Sequence, residues 1–188
     1  SSTQVRGFET ADFAALNSDQ ISQLSSSAVG GLTTTLVAVI DSTDIAALTS
    51  TQLGALGTSQ VGAITTAAVA GLTTGQILVL SSTQVKALSV GVVGNLTSDQ
   101  VGAISTGSLA GLTTSQVAAL TTSSVAGLTS GQIGVLSSTQ VRGFETADFA
   151  ALNSDQIGQL SSSAVASLTT GQIQALSAAN ALSTGAVR

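Results

Sequence analysis

Residues 112–119 read LTTSQVAA, and this eight-residue unit, called an octad below, decides the fold. A large apolar residue stands at every eighth position from Phe8 to Leu176, without exception. A second apolar series, from Val5 to Ile173, lies three places before the first. A short fixed period of this kind is typical of repeat proteins, in which each unit buries its apolar face only against its neighbours.

Each octad carries the start signals of a short helix. If Thr113 is the N-cap, Gln116 occupies position N3, and the pair forms a capping box in which each side chain bonds the other residue's amide. Leu112 and Val117 then have the spacing of a hydrophobic staple. The cap position holds Ser, Thr, Asn or Asp in every octad except those with Glu9, Gly57 and Glu145.

The charged residues are sorted by sign along the octad, as a helix dipole favours. All nine acidic residues fall at the cap, N2 or N3 positions, namely Glu9, Asp12, Asp19, Asp41, Asp44, Asp99, Glu145, Asp148 and Asp155. The four basic residues occupy the opposite end of the octad, namely Arg6, Lys86, Arg142 and Arg188, and the first three stand two places before the next large apolar residue. This sorting supports the helical interpretation independently of the caps.

The fold class follows from the geometry of the period. A continuous helix is excluded because eight residues turn through about 800°, so the apolar stripe would drift by roughly 80° per octad. We therefore expect an all-α solenoid with one helix of about six residues per octad, returning through a small residue such as Gly71 or Gly111. With two octads assumed per layer, the usual 8–10 Å helix spacing gives a rod on the order of 100 Å long. A β-solenoid is the alternative that the Val, Ile and Thr content favours.

We expect residues 1–188 to form one continuous solenoid that is part of a longer array. Residues 1–32 and 137–168 agree at 29 of 32 positions, and the second copy begins 17 octads after the first. This near-copy indicates duplication of a long block. Residues 177–182 form an octad short by two residues, after which the frame resumes at Ser183.

The composition excludes most kinds of catalytic and metal-binding site. The chain has no Cys, His, Met, Trp, Tyr or Pro, so no imidazole base, thiolate or soft metal ligand is present. We therefore expect that the chain is not an enzyme, binds no cofactor, and has no catalytic, cofactor-binding or metal-binding residue. Three pairs of carboxylates could ligate a hard cation, but their positions favour a role at helix starts: Glu9 with Asp12, Asp41 with Asp44, and Glu145 with Asp148. The pairs Phe8 with Phe13 and Phe144 with Phe149 occupy core positions.

Charge and hydropathy restrict the partners. A net charge of −5 with only four basic residues gives no cationic surface for nucleic acid. The longest apolar runs, residues 36–40 and 77–80, are far below the roughly 18 residues that span a bilayer. We therefore expect neither nucleic-acid binding nor membrane insertion.

Residues 112–128 (LTTSQVAALTTSSVAGL) and 128–136 (LTSGQIGVL) resemble the Ser/Thr-rich octad arrays of very large secreted bacterial surface proteins, described as adhesin or haem-utilisation-like repeat proteins. The resemblance implies an extracellular or cell-surface location and a rod, stalk or filament with an adhesive or scaffolding role. The expected partners are further copies of the chain, end to end, or the rest of a longer array. A module that binds a glycan or peptide is the alternative, and a Thr-bearing ice-binding face is a further one.

Overall fold

The computed structural model describes residues 1–185, with side chains described through residue 178. These residues form 22 α-helices and no β-strand, which confirms the all-α solenoid and excludes the β-solenoid. Arg188 lies outside the described residues. The helices are α1 Ser2–Val5, α2 Thr10–Ala14, α3 Ser18–Ser22, α4 Ser26–Val29, α5 Thr34–Ala38, α6 Ser42–Ala47, α7 Ser50–Gly54, α8 Thr58–Val61, α9 Thr66–Val69, α10 Thr74–Leu78, α11 Ser82–Ala87, α12 Val90–Gly94, α13 Ser98–Ala103, α14 Thr106–Leu109, α15 Thr114–Ala118, α16 Thr122–Ala126, α17 Ser130–Gly134, α18 Ser138–Val141, α19 Thr146–Ala151, α20 Ser154–Gly158, α21 Ser162–Ala166 and α22 Thr170–Gly185.

The predicted capping box forms in octad after octad. At α15, the Thr113 hydroxyl accepts from the Gln116 amide at 3.2 Å, and Gln116 Oε1 accepts from the Thr113 amide at 2.8 Å. The Val117 amide then bonds the Thr113 carbonyl at 2.9 Å, which closes the first helical turn. These contacts satisfy the orphan amides of a helix start, which is what lets so short a helix begin.

The corners between helices are made by two consecutive extended residues. Leu48 (φ −65°, ψ 135°) ends α6, and Thr49 (φ −68°, ψ 157°) caps α7. The small-residue position stays near right-handed helical geometry, as at Ala55 and Gly127, and residues 1–185 contain no positive φ. The expected return through a small residue is therefore wrong, since the large apolar residue and the cap residue make the corner.

Each helix packs against the helices three before and three after it, as α7 does against α4 and α10. One turn of the solenoid is thus three octads, and the assumption of two octads per layer is wrong. The result is a three-sided solenoid whose sides begin with α1, α2 and α3. About seven turns at the usual helix spacing make a rod of about 60–70 Å, shorter than the sequence suggested.

Small residues permit the close approach of stacked helices. A Cβ placed on Gly71 would lie 1.7 Å from the backbone oxygen of Ser42, in the helix below. The same atom on Gly111 would lie 2.0 Å from the Ser82 oxygen. Glycine is required at these two positions because the neighbouring backbone occupies the space of a side chain.

Both apolar series form one continuous core along the axis. The series from Val5 to Phe149 is buried throughout, and the series at every eighth residue is buried from Leu32 to Leu152. At the two ends of the stack the core is open, because Phe8 is 38% exposed and Ile173 is 49% exposed. The two series are therefore the interior that the period predicts.

The last helix departs from the octad pattern. α22 runs through the shortened octad as 16 residues, so the expected break and resumption at Ser183 do not occur within the described residues. Ser177 Oγ donates to the Ile173 carbonyl at 3.0 Å, a bond to the turn before it. The alanine-rich sequence that follows favours continuation, because alanine has the highest helix propensity.

Candidate functional site

The N3 residues form the surface by which each turn rests on the turn before it. In the first turn, Gln4, Asp12 and Gln20 are exposed. Every N3 residue from Ala28 to Gln172 is buried. The N3 position therefore faces the preceding turn, and the solenoid has two different ends.

The glutamine at N3 bonds in two directions. Gln76 Oε1 accepts from the Thr73 amide at 2.7 Å, which caps the start of its own helix, α10. Gln76 Nε2 donates to the carbonyls of Ile45 and Leu48, both at 2.6 Å, where α6 ends in the turn below. One buried side chain thus serves a helix start and a helix end at once, and it joins two turns.

This pair of bonds, one to the cap of the same helix and one to the turn below, is called the glutamine relay, and it repeats along the described chain. Each of ten glutamines donates to the carbonyl of the large apolar residue 28 residues earlier, which is one turn plus four residues. They are Gln52, Gln60, Gln76, Gln84, Gln100, Gln116, Gln132, Gln140, Gln156 and Gln172. Two serines do the same with a hydroxyl, since Ser108 and Ser124 donate to the Leu80 and Leu96 carbonyls at 2.6 Å. The contact between turns is therefore a directional hydrogen-bond ladder beside an apolar core.

Sequence reasoning explained glutamine only as half of a capping box and missed its second bond. A signal was present, because glutamate serves equally well in a capping box but never occupies N3 in this chain. Only the amide carries a donor for the carbonyl of the preceding turn. The preference for glutamine over glutamate is thus the sequence mark of the stacking contact.

Aspartate at N3 keeps the cap and lacks the donor. Asp148 Oδ2 accepts from the Glu145 amide at 2.8 Å, and Oδ1 accepts from the Thr122 hydroxyl at 3.0 Å. Burial raises the pKa of Asp148 above its ordinary value of 3.8, although these two hydrogen bonds oppose the shift. Burial, and then the nearby charge of Asp41, raise the pKa of Asp44 in the same way.

The three carboxylate pairs lie at helix starts. Asp41 accepts from the amides of Thr43 and Asp44 at 2.8 and 2.9 Å. Glu9 and Glu145 make no side-chain cap bond. Within the described residues, no group of three or more acidic side chains lies close enough to hold a metal ion.

The phenylalanine pairs pack edge to face. The Phe8 and Phe13 ring centroids lie 6.0 Å apart, and those of Phe144 and Phe149 lie 6.1 Å apart. Phe144 and Phe149 are buried, which is the core role that the sequence predicts. Phe8 is more exposed because it belongs to the first turn, which is covered on one face only.

These features define a class of protein, the all-α solenoid built from short repeats. Four segments match the model of the ALTTAQ repeat, namely residues 5–39, 37–74, 93–130 and 141–178, which cover more than half of the chain. The chain belongs to the ALTTAQ repeat family. Residues 71–76 (GLTTGQ) agree with the six letters of ALTTAQ at four positions, and the last of these is the N3 glutamine Gln76. No curated protein matches the chain, and no helix in residues 1–185 is both long and apolar enough to cross a membrane.

Proposed function

We propose that this chain is a structural segment of an extracellular bacterial surface protein, where the solenoid forms a rod, stalk or self-assembling filament. Its role there is scaffolding or adhesion, and it is not an enzyme. The observation that carries the proposal is the relay of N3 glutamines, which gives each turn from the third onward side-chain donors that bond carbonyls of the turn before it.

An interface with two different, complementary surfaces adds units without closing on itself. Such head-to-tail contacts build open filaments when the rotation does not form a ring. The first turn offers the side chains of Gln4 and Gln20, which cap their own helices through Oε1 at 2.7 and 2.9 Å. The last octads offer Val165 and Ile173, each 49% exposed, as an apolar surface for a following turn.

The extracellular location is supported by the resemblance to secreted octad arrays and by composition. Only four basic residues supply cleavage points for trypsin-like proteases. A chain without cysteine also has no thiol to oxidise outside the cell. Both properties suit an exposed fibre.

Electron microscopy of the purified chain tests the assembly. We expect uniform fibres, or rods of more than one chain length, whose number grows with protein concentration. Particles that stay at the length of one chain at every concentration would refute self-assembly. The rod would then serve as a spacer.

Two glutamate substitutions sharpen this test. Gln4→Glu with Gln20→Glu keeps both caps but removes both donors from the first turn, so we expect association in sedimentation velocity to weaken by at least tenfold. Thr51→Glu with Ser123→Glu adds the same two negative charges at exposed N2 positions of α7 and α16, away from both end turns, and serves as the control. Equal weakening by both double variants would point to charge repulsion instead of a lost contact.

The location is tested separately with an antibody raised against this chain. Labelling of intact, unpermeabilised cells of the source organism is the expected result. Labelling only after permeabilisation would contradict the extracellular proposal without affecting the rod.

The alternative functions differ in their support. A binding module for a glycan or peptide needs a groove, and the surface beside Lys86 provides a shallow one. An ice-binding face needs a flat β-sheet to present threonine in ranks, and residues 1–185 contain no strand.

A further inference from the structure

Two adjoining depressions lie where the second and third sides of the solenoid meet. The larger, of about 360 Å³, is lined by Lys86 of α11 and by residues of the α14–α15 corner and of α18. The smaller, of about 290 Å³, is lined by Thr114, Thr139 and Arg142. Because both contain Thr114 and Thr139, they form one continuous groove, called the basic groove below.

The basic groove lies in the least acidic part of the molecule. Between Asp44 and Glu145 the only charged residues are Lys86, Asp99 and Arg142. Asp99 belongs to α13, on the first side of the solenoid, whereas the groove lies between the second and third sides. Glu145 follows Arg142 by three residues, but no acidic residue lines either depression, so Lys86 and Arg142 are the charged side chains of the groove on a chain whose net charge is −5. This local field favours an anion.

The remaining lining is rich in hydroxyl groups. Thr113, Thr114, Ser137 and Thr139 all line the larger depression, and no aromatic residue does. The Ser137 and Thr139 hydroxyls are hydrogen-bonded to each other at 3.1 Å, which holds both in place. Hydroxyls suit the ring hydroxyls of a sugar, whereas the absence of an aromatic ring disfavours a nucleic-acid base.

The near-copy at the start of the chain shows that the groove depends on the neighbouring turns and not on the octad sequence alone. Residues 1–8 and 137–144 are identical, so Arg6 is the counterpart of Arg142. Residues 1–8 lie in the first turn, where Arg6 Nε donates to the Gly31 carbonyl at 3.2 Å. The basic groove needs Lys86 and the α14–α15 corner from earlier turns, so only the second copy forms it among the described residues.

We infer that the basic groove binds carboxylated sugars of an anionic polysaccharide. Lys86 and Arg142 each pair with a carboxylate, and the groove hydroxyls bond the sugar rings between them. This site is independent of end-to-end assembly, and it gives the rod an adhesive surface along its side.

An NMR titration of the ¹⁵N-labelled chain with trigalacturonate tests the site. We expect amide shifts at Lys86, Thr114, Thr139 and Arg142, and no shifts with the neutral trisaccharide maltotriose at the same concentration. Lys86→Gln and Arg142→Gln should each weaken binding at least fivefold. Both side chains are exposed, so the variants should keep the wild-type far-ultraviolet circular dichroism.

Arg6→Gln is the matched control, because it removes the same charge from the same octad sequence without touching the groove. It should leave binding unchanged. An equal loss with Arg6→Gln would show nonspecific attraction of the anion and overturn the proposal. Equal binding of inorganic phosphate at these amides, or no shift with trigalacturonate, would also overturn it. None of these outcomes bears on fibre formation.

Discussion

Gln76 Nε2 donates a hydrogen bond of 2.6 Å to the carbonyl oxygen of Leu48, although 28 residues separate the two in the chain. Oε1 of the same amide accepts from Thr73 at 2.7 Å, so a single side chain ties a helix start to the corner below it. Helices of four to six residues are unstable alone because nucleation is costly. Where the relay occurs, it therefore couples the formation of a helix to its stacking on the turn below.

Gln76→Glu should destabilise the fold although it preserves the capping box. The carboxylate can still accept from the Thr73 amide, but it loses the donor and places a buried charge beside two carbonyls. We expect a loss of about 3 kcal/mol in the free energy of unfolding at pH 7, measured with urea. Gln159→Glu, at an exposed position, should change it by less than about 0.5 kcal/mol. A similar small effect at Gln76 would contradict the relay.

Asp148→Gln should stabilise the fold by restoring the consensus donor. The new amide can reach the carbonyl of Leu120, which holds the acceptor position of the glutamine relay, while keeping the bond from the Glu145 amide. The expected gain is about 1 kcal/mol in urea unfolding at pH 7, the usual worth of one hydrogen bond. Asp155→Gln removes the same charge at an exposed N2 position and should cost a few tenths of a kcal/mol, because it loses a favourable dipole contact. Stabilisation by both variants would assign the effect to net charge.

The pH dependence of Asp148→Asn follows from the raised pKa of the aspartate. The folded protein holds this proton more tightly than the unfolded chain, whose pKa stays near 3.8. The contribution to stability is therefore complete below 3.8 and is lost as the pH rises through the higher pKa of the folded state. Unfolding at pH 3, 5 and 7 should show that the free energy of unfolding of the variant, relative to the wild type, increases as the pH rises. A difference that does not change with pH would mean that the two states share one pKa.

Two glycines with different surroundings test the close stacking. Gly71→Ala would place its Cβ 1.7 Å from the Ser42 oxygen, so the helices must separate, with an expected cost of about 3 kcal/mol. Gly107→Ala is the control, since it lies within α14 and a Cβ there would meet nothing within 4 Å. It should stabilise the protein by about 0.5–1 kcal/mol because alanine is the better helix former. Thermal unfolding of both variants gives the comparison, and equal effects would contradict the stacking geometry.

The octad could be interpreted correctly within one repeat but not between repeats. The staple of Leu112 with Val117 and the box of Thr113 with Gln116 are local, so the sequence predicted the helix, its start and its core residues. The number of octads per turn depends on the corner dihedrals, such as those of Leu48 and Thr49, which many side chains can adopt. The basic groove was not predictable because Lys86 and Arg142 belong to different turns and line adjoining depressions only after stacking.

Three octads make one turn of this solenoid, and a distance between two spin labels measures this number. The chain has no cysteine, so Thr51→Cys with Ser123→Cys gives a unique pair at exposed N2 positions nine octads apart. Three turns at the usual 8–10 Å spacing place these backbone positions about 24–30 Å apart on the same side of the rod. A solenoid with two octads per turn would place them about 36–45 Å apart, on opposite sides. We expect a narrow distance distribution in the shorter range, measured by double electron-electron resonance. A distribution in the longer range would exclude three octads per turn.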